Sequence, residues 1–142
     1  MVHSQTGHVL AKSGGYRLQR VTEEGAFDTA FGDRAGTAYV GGRGLDDIEP
    51  NGAGYTVTAH GSQSDCGMSD TTVAFVRADG SMASSFVTPV PLGSASVLRY
   101  RDGNMVLRGV GQTTLPSPDG NGYSCIAPRT FTFLRLVAPT AE

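Results

Sequence analysis

The chain has 142 residues and a mass of 14.8 kDa, with 11 Lys and Arg against 13 Asp and Glu and a net charge of −2. Balanced charge without a basic run excludes a surface that neutralises a row of phosphates, and no stretch reaches the roughly 20 apolar residues of a membrane span, so neither nucleic acid nor a membrane-spanning helix is expected. Twenty glycines, seven prolines and only 17% charged residues disfavour helix interiors. They predict an all-β protein, one repeat domain over residues 1–142, long enough to bury about two-thirds of its unfolded surface. The opening residues Met1 to Gln5 lack the apolar centre of a signal peptide.

The predicted strands recur as three copies of one series, over about 1–42, 43–92 and 93–142. In the first copy Val2 to Gln5 turns through Thr6-Gly7 into His8 to Gly14. A third strand follows at Tyr16 to Val21, then the turn Glu24-Gly25, an apolar tail from Ala26 to Phe31, and a fourth strand at Thr37 to Val40. In the second copy Leu45 to Glu49 leads through Pro50 to Gly54 into Tyr55 to Gly61. Thr72 to Arg77 is its third strand, Asp79-Gly80 its turn, and Phe86 to Val90 its fourth strand. In the third copy Ser96 to Arg101 turns at Asp102-Gly103 into Asn104 to Gly111, and Phe131 to Leu136 is the last strand. The expected total is eleven strands: four, four and three. Asp-Gly and Asn-Gly pairs tolerate positive φ, which two-residue hairpin turns of primed type require, so turn chemistry pins the register.

The run from Tyr16 to Gly32, with alternating Leu18 and Arg20, the Glu24-Gly25 turn and then Phe27-Asp28-Thr29-Ala30-Phe31-Gly32, resembles the delta-60 β-propeller repeat. Thr72 to Phe86 repeats it more loosely without the Asp-Thr pair, and Ser94 to Gly111 is similar to the family's Asp-Gly hairpin. The resemblance implies four-stranded blades, a bacterial extracellular or surface setting, and no shared catalytic residue. A closed propeller has about four to eight blades, whereas three copies are present. Two identical chains completing a six-bladed ring, association with further blades, and a β-trefoil of three repeats all remain open. Trp, usual in ricin-type trefoils, is absent.

Aligned on Gly14, Gly61 and Gly111, the copies reach the matching third-strand positions Arg20, Phe75 and Arg135 after 6, 14 and 24 residues. Insertions that recur at one point of each repeat project from one face, often the binding face. Ser62 to Thr71 and Gln112 to Arg129 should therefore lie beside the connections Gly41 to Gly44 and Pro91 to Ser94. The candidate binding residues are Arg43, Asp65, Asp70, Asp119, Asn121, Tyr123 and Arg129. Cys66 and Cys125 occupy equivalent places in the two grown loops, ten residues before Val76 and eleven before Leu136. Their spacing predicts a disulfide, which would close a loop of about 60 residues, stabilise on the order of 4 kcal/mol and suit an extracellular or cell-surface location. Two unpaired small hydrophobes are the alternative.

His3, His8 and His60 are the only histidines, and no two have metal-ligand spacing, so no metal is expected. Exposed strand positions explain them. His60 with Asp65 or Asp70 and a nearby serine imitates a hydrolytic triad, yet no Gly-x-Ser-x-Gly accompanies it. Asp46, Asp47 and Glu49 read as a solvated strand edge rather than an acid pair. Asp119 to Tyr123 has alternate oxygen-bearing residues but lacks the terminal Glu of a calcium loop. Phe75, Phe131 and Phe133 read as core or inter-blade packing. The expectation is a non-catalytic extracellular module without cofactor, binding a protein or glycan through one loop face. A hydrolase using loop carboxylates or His60, and a purely structural part of a larger propeller, are the alternatives.

Overall fold

The computed structural model describes residues 2–5, 8–13, 16–33, 36–52, 54–63, 69–88, 92, 95–99, 104–111, 115–116, 123–124 and 130–136. All their regular structure is β: β1 (Val2–Gln5), β2 (His8–Ser13), β3 (Arg17–Val21), β4 (Thr37–Tyr39), β5 (Gly44–Pro50), β6 (Gly54–Gln63), β7 (Ser69–Arg77), β8 (Met82–Val87), β9 (Ala95–Arg99), β10 (Met105–Gly111), β11 (Leu115–Pro116), β12 (Tyr123–Ser124) and β13 (Thr130–Leu136). They form antiparallel meanders β1-β2-β3-β4 and β5-β6-β7-β8, a three-stranded sheet β9-β10-β13, and the small hairpin β11-β12 inside the third copy's insertion. Among the described residues no sheet closes on itself.

Strand register can be set beside the three copies expected from the sequence. Leu10 opposes Arg20, Thr56 opposes Phe75, and Val106 opposes Arg135. The first fourth strand falls where expected, at Thr37–Tyr39. The second does not: β8 begins at Met82, directly after the Asp79-Gly80 turn, and ends at Val87. A tight turn lets β8 pair at once with β7, whereas the first copy diverts residues 27–36 before returning as β4.

Strand alternation gives the middle sheet two buried faces. Ile48, Tyr55, Val57, Ala59, Ala74 and Val76 pack on Leu10, Leu18, Phe31, Ala38 and Val40 of the first sheet's side. Val73 and Phe75 point the other way, onto Ala95, Val97, Leu107 and Leu134 of the third sheet and onto Leu92. The first strands stand in series, β1 beside β5 and β5 beside β9. The two interfaces differ in chemistry. The first has an apolar centre, with polar bonds where the first copy reaches the second sheet's turn, while polar groups cross the middle of the second: Thr58 Oγ1 donates to Ala95 O at 2.7 Å, Thr71 Oγ1 to Leu92 O at 2.9 Å, and Val97 N to Asp47 Oδ2 at 2.9 Å. Asp47 also accepts Ile48 N at 3.0 Å and is buried. Its carboxylate is therefore a cross-sheet acceptor, and the expectation of a solvated strand edge is corrected at this residue.

The diverted segment is an arm laid across the first interface. Asp28 Oδ1 accepts Ala30 N at 2.9 Å, a local turn that aims Phe31 inward, where it is fully buried. Gly32 N then donates to Asp79 O of the second sheet's turn at 2.7 Å. Arg20 clamps the arm, bonding Asp28 Oδ2 through Nε at 2.8 Å and Ala78 O through Nη1 at 2.5 Å, with its guanidinium 4.9 Å from the Phe31 ring centroid. Gly80 has φ +87°, and a Cβ there would overlap Gly32 and stand 2.9 Å from Phe31 Cδ2. The Asp79-Gly80 pair is thus more than turn chemistry, because it seats the arm.

Candidate binding end

The connections 40–44, 61–69 and 92–94 and the insertion 112–129 all leave the sheets at one end, because β5 and β9 start there while β6 and β10 finish there. Gly41 and Gly42 take φ of +87° and +78°, which turns the chain from β4 into β5 and brings Arg43 N to His60 O at 2.7 Å. Arg43 itself is exposed at this end, as is Asp70 beside the β6–β7 connection. Strands β6 and β7 continue past the body of their sheet to a Gln63–Ser69 pair, so the second copy's insertion begins as a hairpin extension.

At the base of this end β5 carries a bulge, with Leu45 opposite Ala59 and Asp47 opposite Thr58, leaving Asp46 as the extra residue. A bulge re-aims a side chain. Asp46 Oδ1 lies 2.7 Å from His60 Nδ1, and its Oδ2 accepts Ala95 N at 3.5 Å. The His60 side chain is 30% exposed and that of Asp46 9%. The ring lies against Gly44, where any Cβ would overlap it. Carboxylate-to-Nδ1 contact orients the imidazole, and the Cε1–Nε2 edge of the ring is the part turned onto Gly44.

His60 therefore pairs with Asp46, not with Asp70. Asp70 is exposed on the far side of the His60–Thr71 pair. Sequence reasoning missed Asp46 as the partner, although Leu45-Asp46-Asp47-Ile48 breaks two-residue alternation and two adjacent polar residues between core positions are a bulge signal. Tyr123 lies in β12, opposite Pro116. Asp65, Asp119, Asn121 and Arg129, with Cys66 and Cys125 and their pairing, lie outside the described residues. Among the described residues no group of three or more His, Cys, Asp or Glu gathers to hold a metal. Phe75 is packed between sheets as expected, but Phe133 is 61% exposed, so the expectation of packing is corrected there.

Ionisation is shifted at both ends of the sheets, at Tyr55 and Asp79 on the opposite end and at Arg17 on this one. Burial pushes the Tyr55 phenol up, against a smaller opposing pull from Arg20. Hydrogen bonds from Ser81 to the Asp79 carboxylate hold it below its ordinary value. Contact with Tyr16 raises Arg17, which stands 5.4 Å from the ring centroids of both Tyr16 and Tyr39. No family model matches this sequence, and comparison with curated proteins and with solved structures returns no match.

Proposed function

We propose that the chain is a non-catalytic, propeller-type binding module of the delta-60 repeat kind, extracellular or at a cell surface, that holds a protein or glycan on the end from which its insertions grow. One observation carries this reading. The second copy lengthens at this end through the β6–β7 extension, while at the opposite end its β5-β6 and β7-β8 connections close in short turns, and β11-β12 stands within the third copy's insertion. Growth at one end, over a scaffold held by two packed interfaces, is the pattern of a binding face on rigid strands. Arg43 and Asp70 supply exposed charge there, and Tyr123 stands in the inserted hairpin. The Cys66–Cys125 bridge belongs to the same proposal and predicts no free thiol in protein secreted to an oxidising compartment.

Binding of the purified chain to an immobilised glycan panel and to displayed cell-surface proteins tests the reading. Any ligand found should lose binding to Arg43→Ala and Tyr123→Ala at unchanged thermal stability. Ligand binding indifferent to both variants would place the site elsewhere. A second reading, a hydrolase using His60, is favoured by one contact, the Asp46 carboxylate on His60 Nδ1. Its check is a panel of ester, peptide and glycoside substrates, where turnover abolished in His60→Ala would replace the binding reading.

A further inference from the structure

The third sheet turns one face outward. Leu98 and Phe133 are 38% and 61% exposed there, Val106 is half-buried, and Arg108 and Arg135 are exposed. Register equates Val106 with Leu10 and Thr56, and Phe133 with Leu18 and Val73; all four of those residues are completely buried, where one sheet meets the next. This face therefore has the position of an inter-sheet contact. Arg135 is the counterpart of Arg20, the residue that reaches Ala78 O in the turn of the following sheet.

The first sheet offers the matching socket. Its turn at Thr22–Gly25 repeats the Arg77–Gly80 turn bond for bond: Gly25 N donates to Thr22 O and Gly80 N to Arg77 O, each at 2.9 Å, while Thr22 N donates to Ala26 O and Arg77 N to Ser81 O. Glu23 stands where Ala78 stands, 55 residues on. The two turns differ in occupancy. Gly80 is pressed by Phe31 and Gly32 of the preceding sheet, whereas a Cβ on Gly25 meets nothing within 4 Å. Glu23 is exposed and makes this turn acidic, the opposite charge to the exposed Arg108 and Arg135 of the third sheet.

We propose that a second copy of this chain covers both faces: the third sheet of each copy packs on the first sheet of the other, with Arg135 at the Glu23 carbonyl. The inference rests on the propeller-type reading of the sheets. Six is the only multiple of three among rings of about four to eight blades, so two copies close a ring and no other number does. Apolar area at Leu98, Val106 and Phe133 drives the contact, and arginine against an acidic turn sets its direction.

Light scattering and small-angle X-ray scattering on the 142-residue chain test it. The expected result is a mass of twice 14.8 kDa and the profile of a ring with a central channel. Arg135→Glu sets like charge against the acidic turn and should weaken the dimer by about tenfold or more without changing circular dichroism. Glu23→Arg combined with Arg135→Glu should restore it. A wild-type monomer, an open-ended polymer, or a dimer indifferent to both Arg135→Glu and Phe133→Glu overturns the proposal. Scattering from a monomer also separates the two levels of failure. An open arc of three sheets keeps the propeller reading and removes only the dimer, while a compact closed body removes both in favour of a trefoil.

Discussion

Asp47 shows how much one side chain decides. Its two carboxylate oxygens hold two backbone N–H groups, Ile48 in its own strand and Val97 in the next sheet. Removing the acceptor leaves a buried donor without a partner, a loss of about 1–3 kcal/mol. Asp47→Ala should therefore lower the urea midpoint at unchanged slope, and a midpoint equal to wild type would show that the second interface does not depend on this bond. Tyr55 governs the alkaline side. Its pKa is raised by burial, so below pH of about 10 both folded and unfolded chains keep the phenol proton and stability is unaffected. Above that, the unfolded chain ionises first, and stability falls until the raised folded pKa is passed. Tyr55→Phe should flatten this alkaline loss, measured as denaturant midpoints against pH.

Turns and bulges carry the same lesson one level up. Gly25 and Gly80 have nearly the same positive φ, +82° and +87°, in turns with the same hydrogen bonds, but only Gly80 is crowded by the neighbouring sheet. Gly25→Ala costs the left-handed backbone alone, about 1–2 kcal/mol in the isolated chain. Gly80→Ala adds displacement of Phe31 and Gly32, so its loss of melting temperature should be clearly larger. Equal losses would mean that the arm is not seated on the turn. The strands themselves were legible in the sequence, because their alternation and their Gly turns are local properties. The fourth strand of the second copy was not, and neither was the β11-β12 hairpin, which raises the expected eleven strands to thirteen. Nothing local distinguishes a tail that pairs with its own sheet, as Met82 to Val87 does, from one that crosses to the next, as Asp28 to Gly32 does. The Asp46 bulge hid for a related reason: its purpose is contact with His60, fourteen residues away on the paired strand.

Across the whole molecule, three similar sheets stacked in series use two different interfaces. The first is sealed by Phe31 and Arg20, the second by Asp47, Thr58 and Thr71 through backbone partners. The outward face of the third sheet and the exposed turn of the first are where the proposed second copy would continue that series.

Composition and hairpin turns determined an all-β chain of small antiparallel sheets, and the 55-residue spacing of Gly25 and Gly80 matched two turns with the same hydrogen bonds. These depend on the backbone preferences of glycine and on side-chain alternation, which act between neighbours in the chain. Tertiary structure alone decided that Asp46 belongs to His60, that Asp47 belongs to Val97, and that the first copy's tail belongs to the second copy's turn. Each of these joins groups on different strands or different sheets, and such partners are chosen only when packing brings the strands to their final register.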